Sequence, residues 1–305
     1  MTRVLVAGAG SIGSLLAAHL ARVAEVSVLT RREEHAEALR EHGLRVSGRS
    51  DFTVSVEAST EPEAFADADL VVLACKSTDL EPLVVQLEGR LAWAMMMTVQ
   101  NGLGAEDVVA AHGMWPLLSA VTFMSGTRHS DTHVEYVLDT ATWIGPYRGT
   151  TYEDARSVAE LIQSAGLKAD AFADLRPAQW SKLVFNATVN GVAALTELPH
   201  DVHFAETERL SDLGHLVRDL VDEGRAVASA AGVDLHDDPW EMNVLATQRG
   251  YRHYPSMLED VEAHRPTELE SINGALVREA RRHGVPAPLQ TAVYRLVKAK
   301  EASYS

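Results

Sequence analysis

The 305-residue sequence is poor in cysteine, in lysine and in long hydrophobic runs, and each shortage excludes a class of protein. Its single cysteine, Cys75, cannot form an internal disulfide, which argues against a small disulfide-stabilised secreted fold. No apolar run approaches the roughly 20 residues that a membrane-spanning helix needs. Because the chain opens on a strand-like segment rather than on a leader pattern, we expect a cytoplasmic protein with no membrane partner.

Positive charge is scarce as well. The 27 lysines and arginines are outnumbered by 43 aspartates and glutamates, so the formal net charge is -16. Such a field repels nucleic-acid backbones, and we predict no nucleic-acid partner because no basic cluster opposes it. An anionic ligand would have to be held by a few cations placed in a cleft, which makes each lysine informative. The lysines are Lys76, Lys168, Lys182, Lys298 and Lys300.

The length of the chain predicts two domains. Up to about residue 174, short β-branched runs such as residues 26–29 alternate with amphipathic stretches such as residues 12–23, which is the βαβ pattern of a parallel sheet. Beyond Pro177 helical periodicity dominates. The predicted fold class is therefore α/β, with a parallel-sheet domain over residues 1–174 and an all-α domain over residues 175–305.

A glycine-rich motif, G-x-G-x-x-G, lies directly between the first predicted strand and the first predicted helix. Gly8 allows a tight turn, Gly10 lets the backbone approach a pyrophosphate, and Gly13 lets the helix pack closely on the strand. Free N–H groups at the helix start attract phosphate oxygens. We interpret the motif as a dinucleotide site in a Rossmann-type domain, rather than as a glycine turn that binds nothing. Its residues are Gly8, Ala9, Gly10, Ser11, Ile12 and Gly13.

The end of the second predicted strand selects between the two nicotinamide dinucleotides. An NAD-selective site usually places a carboxylate there, whereas this chain has Arg31 and Arg32. A guanidinium can pair with a 2′-phosphate, so the pattern favours NADP(H), with Arg31 the better placed. In the alternative, both arginines lie at a solvated helix start and Glu33 or Glu34 acts as an NAD-type acid.

Three polar residues, Lys182, Asn186 and Asn190, recur at intervals of four on a helix predicted at the start of the second domain. At about 3.6 residues per turn they share one face, while apolar neighbours cover the rest. A buried ammonium beside two amides fits carbonyl reduction, in which hydride adds to carbon and an acid protonates the developing alkoxide. The residues alone leave a structural alternative open, in which the lysine reaches solvent and the asparagines cap loops.

The whole chain resembles the ketopantoate reductase family, the 2-dehydropantoate 2-reductases. Five segments carry the resemblance, and the last of them, with Ser256 twelve residues before Glu268, is the most specific. The segments are the glycine motif, Ala74-Cys75-Lys76, Gln100-Asn101-Gly102-Leu103-Gly104, Lys182 with Asn186 and Asn190, and residues 256–274.

This resemblance implies NADPH-dependent reduction of 2-dehydropantoate to pantoate, a step of pantothenate biosynthesis, in a cleft between the two domains. It implies that Lys182 is the general acid and that Glu268 helps to place the lysine and the substrate. It also implies that Lys76 lies on the cofactor side. The remaining matched positions hold the substrate or border the nicotinamide, and they are Asn101, Asn186, Asn190 and Ser256.

Glu268 also has a purely structural explanation. It follows Pro266 at a predicted helix start, where the helix dipole favours any acid. Thr267 and Glu270, however, already have the spacing of a capping box. Glu268 is therefore not needed as the capping acid. It also lies beside the apolar stripe of this helix, a position that predicts an inward role.

Several alternatives stay open at this point. Other members of the same family reduce bulkier 2-oxo acids with the same lysine, amides and serine. A β-hydroxyacid dehydrogenase also has a lysine and an asparagine four residues later, although the segment 256–274 argues against it. A regulator that senses NADP(H) would keep the fold without turnover. His200 and His203 lack further ligands, so we predict no metal site; the helical faces leave a homodimer open.

Overall fold

The computed structural model describes residues 2–91, 93–205, 211–248 and 254–304, and the chain forms two compact units. The first unit comprises Met1–Gln100 and Ala105–Leu175, and the second comprises Asn101–Gly104 and Arg176–Ser305. The short segment 101–104 therefore belongs to the second unit, although the chain on both sides of it belongs to the first.

The first unit is built from strands and helices in alternation. Its described strands are β1 Arg3–Ala7, β2 Glu25–Leu29, β3 Leu44–Gly48, β4 Phe52–Val54, β5 Glu57–Ser59, β6 Leu70–Leu73, β7 Met95–Thr98, β8 Leu117–Thr122, β9 Ser125–Ser130, β10 His133–Leu138, β11 Thr142–Arg148 and β12 Ala169–Ala171. Its described helices are α1 Ser11–Leu20, α2 Glu33–His42, α3 Ser77–Leu87, α4 Ala105–His112 and α5 Tyr152–Ser164, with a short 3-10 turn at Pro62–Phe65.

Eight of these strands form one sheet in the order β12-β11-β8-β7-β6-β1-β2-β5. Neighbouring strands run parallel, except that β11 is antiparallel to β8. The central strand β6 is buried along its whole length. This is expected for a strand that is covered on both faces and whose sequence is a continuous apolar run. The predicted α/β fold with a mostly parallel sheet is confirmed.

A second sheet of four strands, in the order β4-β3-β10-β9, was not predicted. Its strand β9 is exposed over Arg128 to Ser130 and lacks an apolar pattern, so residues 124–138 carried little signal. Strand β10 buries Val134 and Tyr136, which join the helix α1 in one hydrophobic cluster. The second sheet therefore covers the helix that follows the glycine motif.

Every regular element described in the second unit is helical. The α-helices are α6 Arg176–Thr196, α7 Asp212–Ala230, α8 Pro239–Thr247, α9 Ser256–Glu262, α10 Ala275–Arg282 and α11 Pro288–Ala302, with a 3-10 turn at Val202–Phe204 and a π-helical turn at Glu270–Gly274.

Helix α6 is the centre of the second unit and packs against α7, α8, α9, α10 and α11. It is buried on nearly all sides, as expected for a helix that is apolar around most of its circumference. The close approach of α11 depends on Gly191, because a Cβ there would lie 2.4 Å from Cγ1 of Val293. Among the described helices of the whole chain, none combines the length and the apolar character that crossing a bilayer requires.

Candidate active site

The glycine motif forms the turn between β1 and α1. Gly8 has a φ of +106°, and a Cβ there would lie 2.7 Å from the backbone nitrogen of Cys75. A Cβ on Gly13 would lie only 1.9 Å from the carbonyl oxygen of Gly8. At Gly10, by contrast, no atom lies within 4 Å of the position that a Cβ would take. Gly8 and Gly13 are thus required by the packing of the protein itself, whereas Gly10 leaves open space beside the backbone.

A dinucleotide fits this turn. Gly10 is the N-cap of α1 and no side chain caps the helix, so its first N–H groups are available to an anion. The backbone of Ala9, Ser11 and Ile12 lies in the same turn, next to the open space at Gly10. A pyrophosphate at this position would be held by backbone N–H groups and by the positive end of the helix dipole.

The two arginines that follow β2 have different environments. Arg31 has a side chain that is 81% exposed, and its Nη1 donates a hydrogen bond to Oδ1 of Asp79 at 3.0 Å. Arg32 donates to both carboxylate oxygens of Asp131, each at 2.7 Å. Lys76, the predicted cofactor-side lysine, is the half-buried N-cap of α3, the helix that carries Asp79. Arg31 is therefore the more accessible of the two guanidinium groups.

Glu33 does not have the environment that the NAD alternative requires. Its carboxylate accepts hydrogen bonds from Arg40 at 2.8 Å and from Thr60 at 3.1 Å. The bond from Arg40, supported by the bond from Thr60, holds the pKa of Glu33 below its usual value. A carboxylate occupied in this way is a poor acceptor for ribose hydroxyls, so Glu33 is a poor candidate for the NAD-type acid, and Glu34 is the acid that this alternative retains.

Three predicted site residues from distant parts of the sequence meet in the second unit. Nζ of Lys182, on α6, donates a hydrogen bond to Oδ1 of Asn101 at 2.7 Å. Nδ2 of the same Asn101 donates to Oε2 of Glu268 at 2.9 Å. We call Lys182, Asn101 and Glu268 the lysine cluster.

The segment that carries Asn101 is held against the second unit by its backbone. The backbone nitrogen of Leu103 donates to the carbonyl oxygen of Ser271 at 2.9 Å. Gly102 has a φ of +92°, and a Cβ on it would lie 2.0 Å from the same carbonyl oxygen. Only glycine fits here, which explains the Asn-Gly pair and fixes Asn101 next to Lys182.

Burial dominates the electrostatics of the lysine cluster. The side chain of Lys182 is nearly inaccessible, with 8% of the residue exposed. Burial lowers the pKa of its ammonium group to about 8, and the carboxylate of Glu268 acts in the opposite direction and raises it. The ammonium is therefore mostly protonated at neutral pH and close to the pKa at which a general acid works best.

Asn186 and Asn190 lie one and two turns after Lys182 on α6, and they are 8% and 7% exposed. Neither side-chain amide has a hydrogen-bond partner among the residues that the structure describes. A nearly buried amide without a partner is costly unless a ligand or water satisfies it. The structural alternative is thus not observed in this part of the chain, since Lys182 is buried and neither asparagine caps a loop.

The residues around Glu268 correct one sequence-based prediction. The capping box of Thr267 and Glu270 is wrong, because the backbone nitrogen of Thr267 is bound by the carboxylate of Glu301 instead. Glu270 is the first residue of a π-helical turn, and its carboxylate accepts hydrogen bonds from Tyr294 and Lys298 instead of one from the backbone of Thr267. Such turns are frequent at functional sites, and this one begins just after Glu268.

Ser256 is the first residue of α9 and is exposed. Its hydroxyl makes no hydrogen bond within the described ranges, so the structure does not join it to the lysine cluster. Of the two histidines considered as metal ligands, His200 is buried, and its Nε2 pairs with Oδ1 of Asn243 at 2.7 Å. No group of three or more potential metal ligands was found in the part of the chain that is described.

Two residues near these sites were given no role from the sequence. Asp79 is one, and its position in the first turn after a parallel strand next to β1 was the available signal. Asn273 is the other: it is completely buried, and its Nδ2 donates to the carbonyl oxygen of Ala187 on α6 at 2.6 Å. This bond fastens the π-helical turn to the helix that carries Lys182.

Comparison with known proteins gives the same assignment along the whole chain. The family model "Ketopantoate reductase PanE/ApbA" matches residues 4–149, and the model "Ketopantoate reductase PanE/ApbA C terminal" matches residues 174–301. The 2-dehydropantoate 2-reductase of Archaeoglobus fulgidus is 30% identical over 300 residues, which is 98% of each chain. That of Halobacterium salinarum is 33% identical over 303 residues, covering 97% of this chain and 98% of the relative.

Solved structures agree. The crystal structure of a PanE/ApbA family ketopantoate reductase from Ralstonia eutropha has a TM-score of 0.89 and 27% identity, covering 99% of both chains. A ternary structure of D-mandelate dehydrogenase with NADH and anilino(oxo)acetate has a TM-score of 0.88 at 24% identity over 99% of both chains, a likeness of fold alone. With both halves matched by family models and full-length relatives at 30% identity or more, the chain belongs to the ketopantoate reductase family.

Proposed function

We propose that this protein is an NADPH-dependent oxidoreductase that reduces the C2 ketone of 2-dehydropantoate to the hydroxyl group of pantoate, a step of pantothenate biosynthesis. The observation that carries the proposal is the lysine cluster, in which a buried ammonium with a pKa of about 8 is hydrogen-bonded to an oriented amide. Family membership supports the same reaction through its 2-dehydropantoate 2-reductases.

A reduced nicotinamide cofactor held at the glycine turn would supply the hydride for the ketone carbon. Lys182 donates the proton that the developing alkoxide needs, so that one hydride and one proton convert the ketone to an alcohol. Asn101 holds the ammonium through its amide oxygen, and Glu268 holds that amide through its nitrogen. The carboxylate of Glu268 also keeps more of the lysine protonated at neutral pH than burial alone would allow.

The two unpartnered amides on α6 are proposed to bind the substrate. Asn186 and Asn190 each offer a donor and an acceptor on the face of α6 that carries Lys182. A small 2-oxo acid with a hydroxyl group has a carboxylate that accepts and a hydroxyl that does both. Ser256 is proposed as a further substrate contact on the strength of the family match alone.

The two units have separate roles in this proposal. The first, expected over residues 1–174, holds NADP(H) through the glycine turn, Arg31 and Lys76. The second, expected over residues 175–305, supplies the acid and the substrate-binding amides, with Asn101 added to it by the fold. The proposed partner is a small molecule, since the net charge of -16 disfavours nucleic acid. The proposed location of the protein is the cytoplasm. A homodimer remains a hypothesis that light scattering would test.

The test is a panel of 2-oxo acids assayed by the loss of NADPH absorbance. We expect turnover with 2-dehydropantoate far above that with bulkier branched or aromatic 2-oxo acids. A preference for a bulkier acid would contradict the proposed substrate. Tight NADPH binding without turnover of any acid would contradict the enzyme assignment and favour a regulator that senses NADP(H).

Variants of two lysines make the test specific. Lys182→Met should lower the reduction rate about 10²- to 10⁴-fold while NADPH binding changes little, because only proton transfer is lost. Lys168→Met removes an exposed lysine that pairs with Asp139 in the first unit, and it should leave both quantities unchanged. Equal losses of rate and of cofactor binding in Lys182→Met would contradict its role as the acid.

A further inference from the structure

The guanidinium that is expected to recognise the 2′-phosphate is already paired with a carboxylate. Arg31 follows β2, and Asp79 lies in the first turn of α3, which follows β6. Both strands are parallel neighbours of β1, so their carboxyl ends lie at the same edge of the sheet as the glycine motif. The contact of 3.0 Å between Arg31 and Asp79 is thus a feature of the cofactor edge.

The neighbouring arginine cannot take over from Arg31 without breaking a stronger arrangement. Arg32 donates to both oxygens of Asp131 at 2.7 Å, and Arg128 donates to the same carboxylate at 2.7 Å. Both bonds come from Nη2 of Arg32, so this arginine makes two contacts where Arg31 makes one, and its side chain is less exposed than that of Arg31, 54% against 81%. Arg31 therefore remains the group that a phosphate can reach, and Asp79 is the group that it must replace.

We propose that Asp79 is a specificity-determining residue that reduces the preference of this protein for NADP(H) over NAD(H). The inference rests on the proposed function, since it assumes that a nicotinamide dinucleotide binds at the glycine turn. A 2′-phosphate carries a charge of about -1.5 to -2 and must displace the carboxylate of Asp79 from Arg31 while staying close to it. The like charges repel, which weakens NADP(H).

The same carboxylate acts in the opposite direction on NAD(H). The ribose hydroxyls of NAD(H) are neutral donors, and a carboxylate near the end of the second strand is the usual acceptor for them. Arg31 and Asp79 together offer one group suited to each dinucleotide. The protein should therefore bind both, with a preference for NADP(H) that grows when the carboxylate is removed.

The experiment compares Asp79→Asn with Glu81→Gln by isothermal titration of NADPH and of NADH. Both variants remove one negative charge from α3, but the exposed carboxylate of Glu81 pairs with Nε2 of His112 at 3.5 Å, whereas that of Asp79 pairs with Arg31. Asp79→Asn should tighten NADPH about 5- to 20-fold, leave NADH unchanged or weaker, and so raise the ratio of the two affinities. Glu81→Gln should leave that ratio within about two-fold of the wild type.

A second background shows whether the effect passes through Arg31. In Arg31→Gln, the further change Asp79→Asn should no longer raise the ratio, because no guanidinium is left for the phosphate. An unchanged ratio in Asp79→Asn, an equal rise in Glu81→Gln, or a full effect without Arg31 would each overturn the inference. Wild-type protein that binds neither dinucleotide would instead overturn the proposed function itself, so the two failures are distinguishable.

Discussion

The side-chain amide of Asn101 accepts a hydrogen bond from the ammonium of Lys182 across 2.7 Å, although 81 positions separate the two residues in the chain. Its orientation is determined by the second bond that it makes, to the carboxylate of Glu268 at 2.9 Å. Turning the amide over would place its nitrogen against the ammonium and its oxygen against the carboxylate. The amide therefore connects a buried cation to an anion in one orientation only.

Replacement of Asn101 should lower the catalytic rate. Asn101→Ala removes both bonds and lets the ammonium of Lys182 leave its position, for which we expect a fall in kcat of about 10²-fold. Asn101→Asp keeps an acceptor for the lysine but places a second carboxylate against Glu268, so it should not restore the rate. Steady-state kinetics measure both; a kcat within about two-fold of the wild type in Asn101→Ala would contradict the positioning role.

The two directions of the reaction should depend on pH in opposite ways. Reduction needs the protonated form of Lys182, whereas oxidation of the 2-hydroxy acid needs the neutral amine as a base. Because burial lowers the pKa of Lys182 to about 8, kcat/KM for reduction should fall as the pH rises through about 8. For oxidation it should rise over the same interval. Initial rates between pH 6 and about 10 measure both limbs, and limbs with the same sign would contradict the assignment.

Glu268 should determine the pH at which kcat/KM for reduction falls. Its carboxylate raises the pKa of Lys182 against the effect of burial, so Glu268→Gln should move the alkaline limb of reduction to lower pH. Glu270→Gln is the matched control, because this carboxylate is engaged by Lys298 and Tyr294 and is not part of the lysine cluster. The measurement is the pH profile of kcat/KM for reduction in the two variants. If the alkaline limb stays in place in Glu268→Gln, or moves equally in both variants, Glu268 does not raise the pKa of Lys182 as proposed.

Those parts of the fold and of the sites that depend on local pattern could be predicted from the sequence. The glycine turn is an example, since a strand, three glycines and a helix follow one another within about a dozen residues. The polar face of α6 is another, because a period of four places Lys182, Asn186 and Asn190 together on any helix. Burial of that face also followed from its apolar neighbours.

Features that depend on distant pairings could not be predicted in the same way. The four-stranded sheet joins β3 to β10, with Val46 opposite Val134, and nothing local in either strand specifies that register. The pair of Arg31 and Asp79 likewise requires knowing that β2 and β6 both flank β1. The resemblance identified Asn101 and Glu268 as site residues, but the hydrogen bond between them appears only in three dimensions.

Two glycines of the dinucleotide turn should respond to the same substitution in opposite ways. Gly13→Ala puts a Cβ 1.9 Å from a backbone oxygen, and we expect a loss in the free energy of unfolding of at least about 1–3 kcal/mol.

Gly10 has φ -77° and ψ -170°, which alanine adopts readily, and its Cβ would meet no atom within 4 Å. Gly10→Ala should therefore change the free energy of unfolding by less than about 1 kcal/mol, because the restricted unfolded chain favours alanine while the N-cap position favours glycine. If a pyrophosphate lies against this backbone, however, the added methyl group should weaken NADPH binding about ten-fold or more. Urea unfolding and NADPH titration separate the two quantities. Gly10→Ala with full NADPH affinity would mean that the open space beside this glycine is not where the dinucleotide binds.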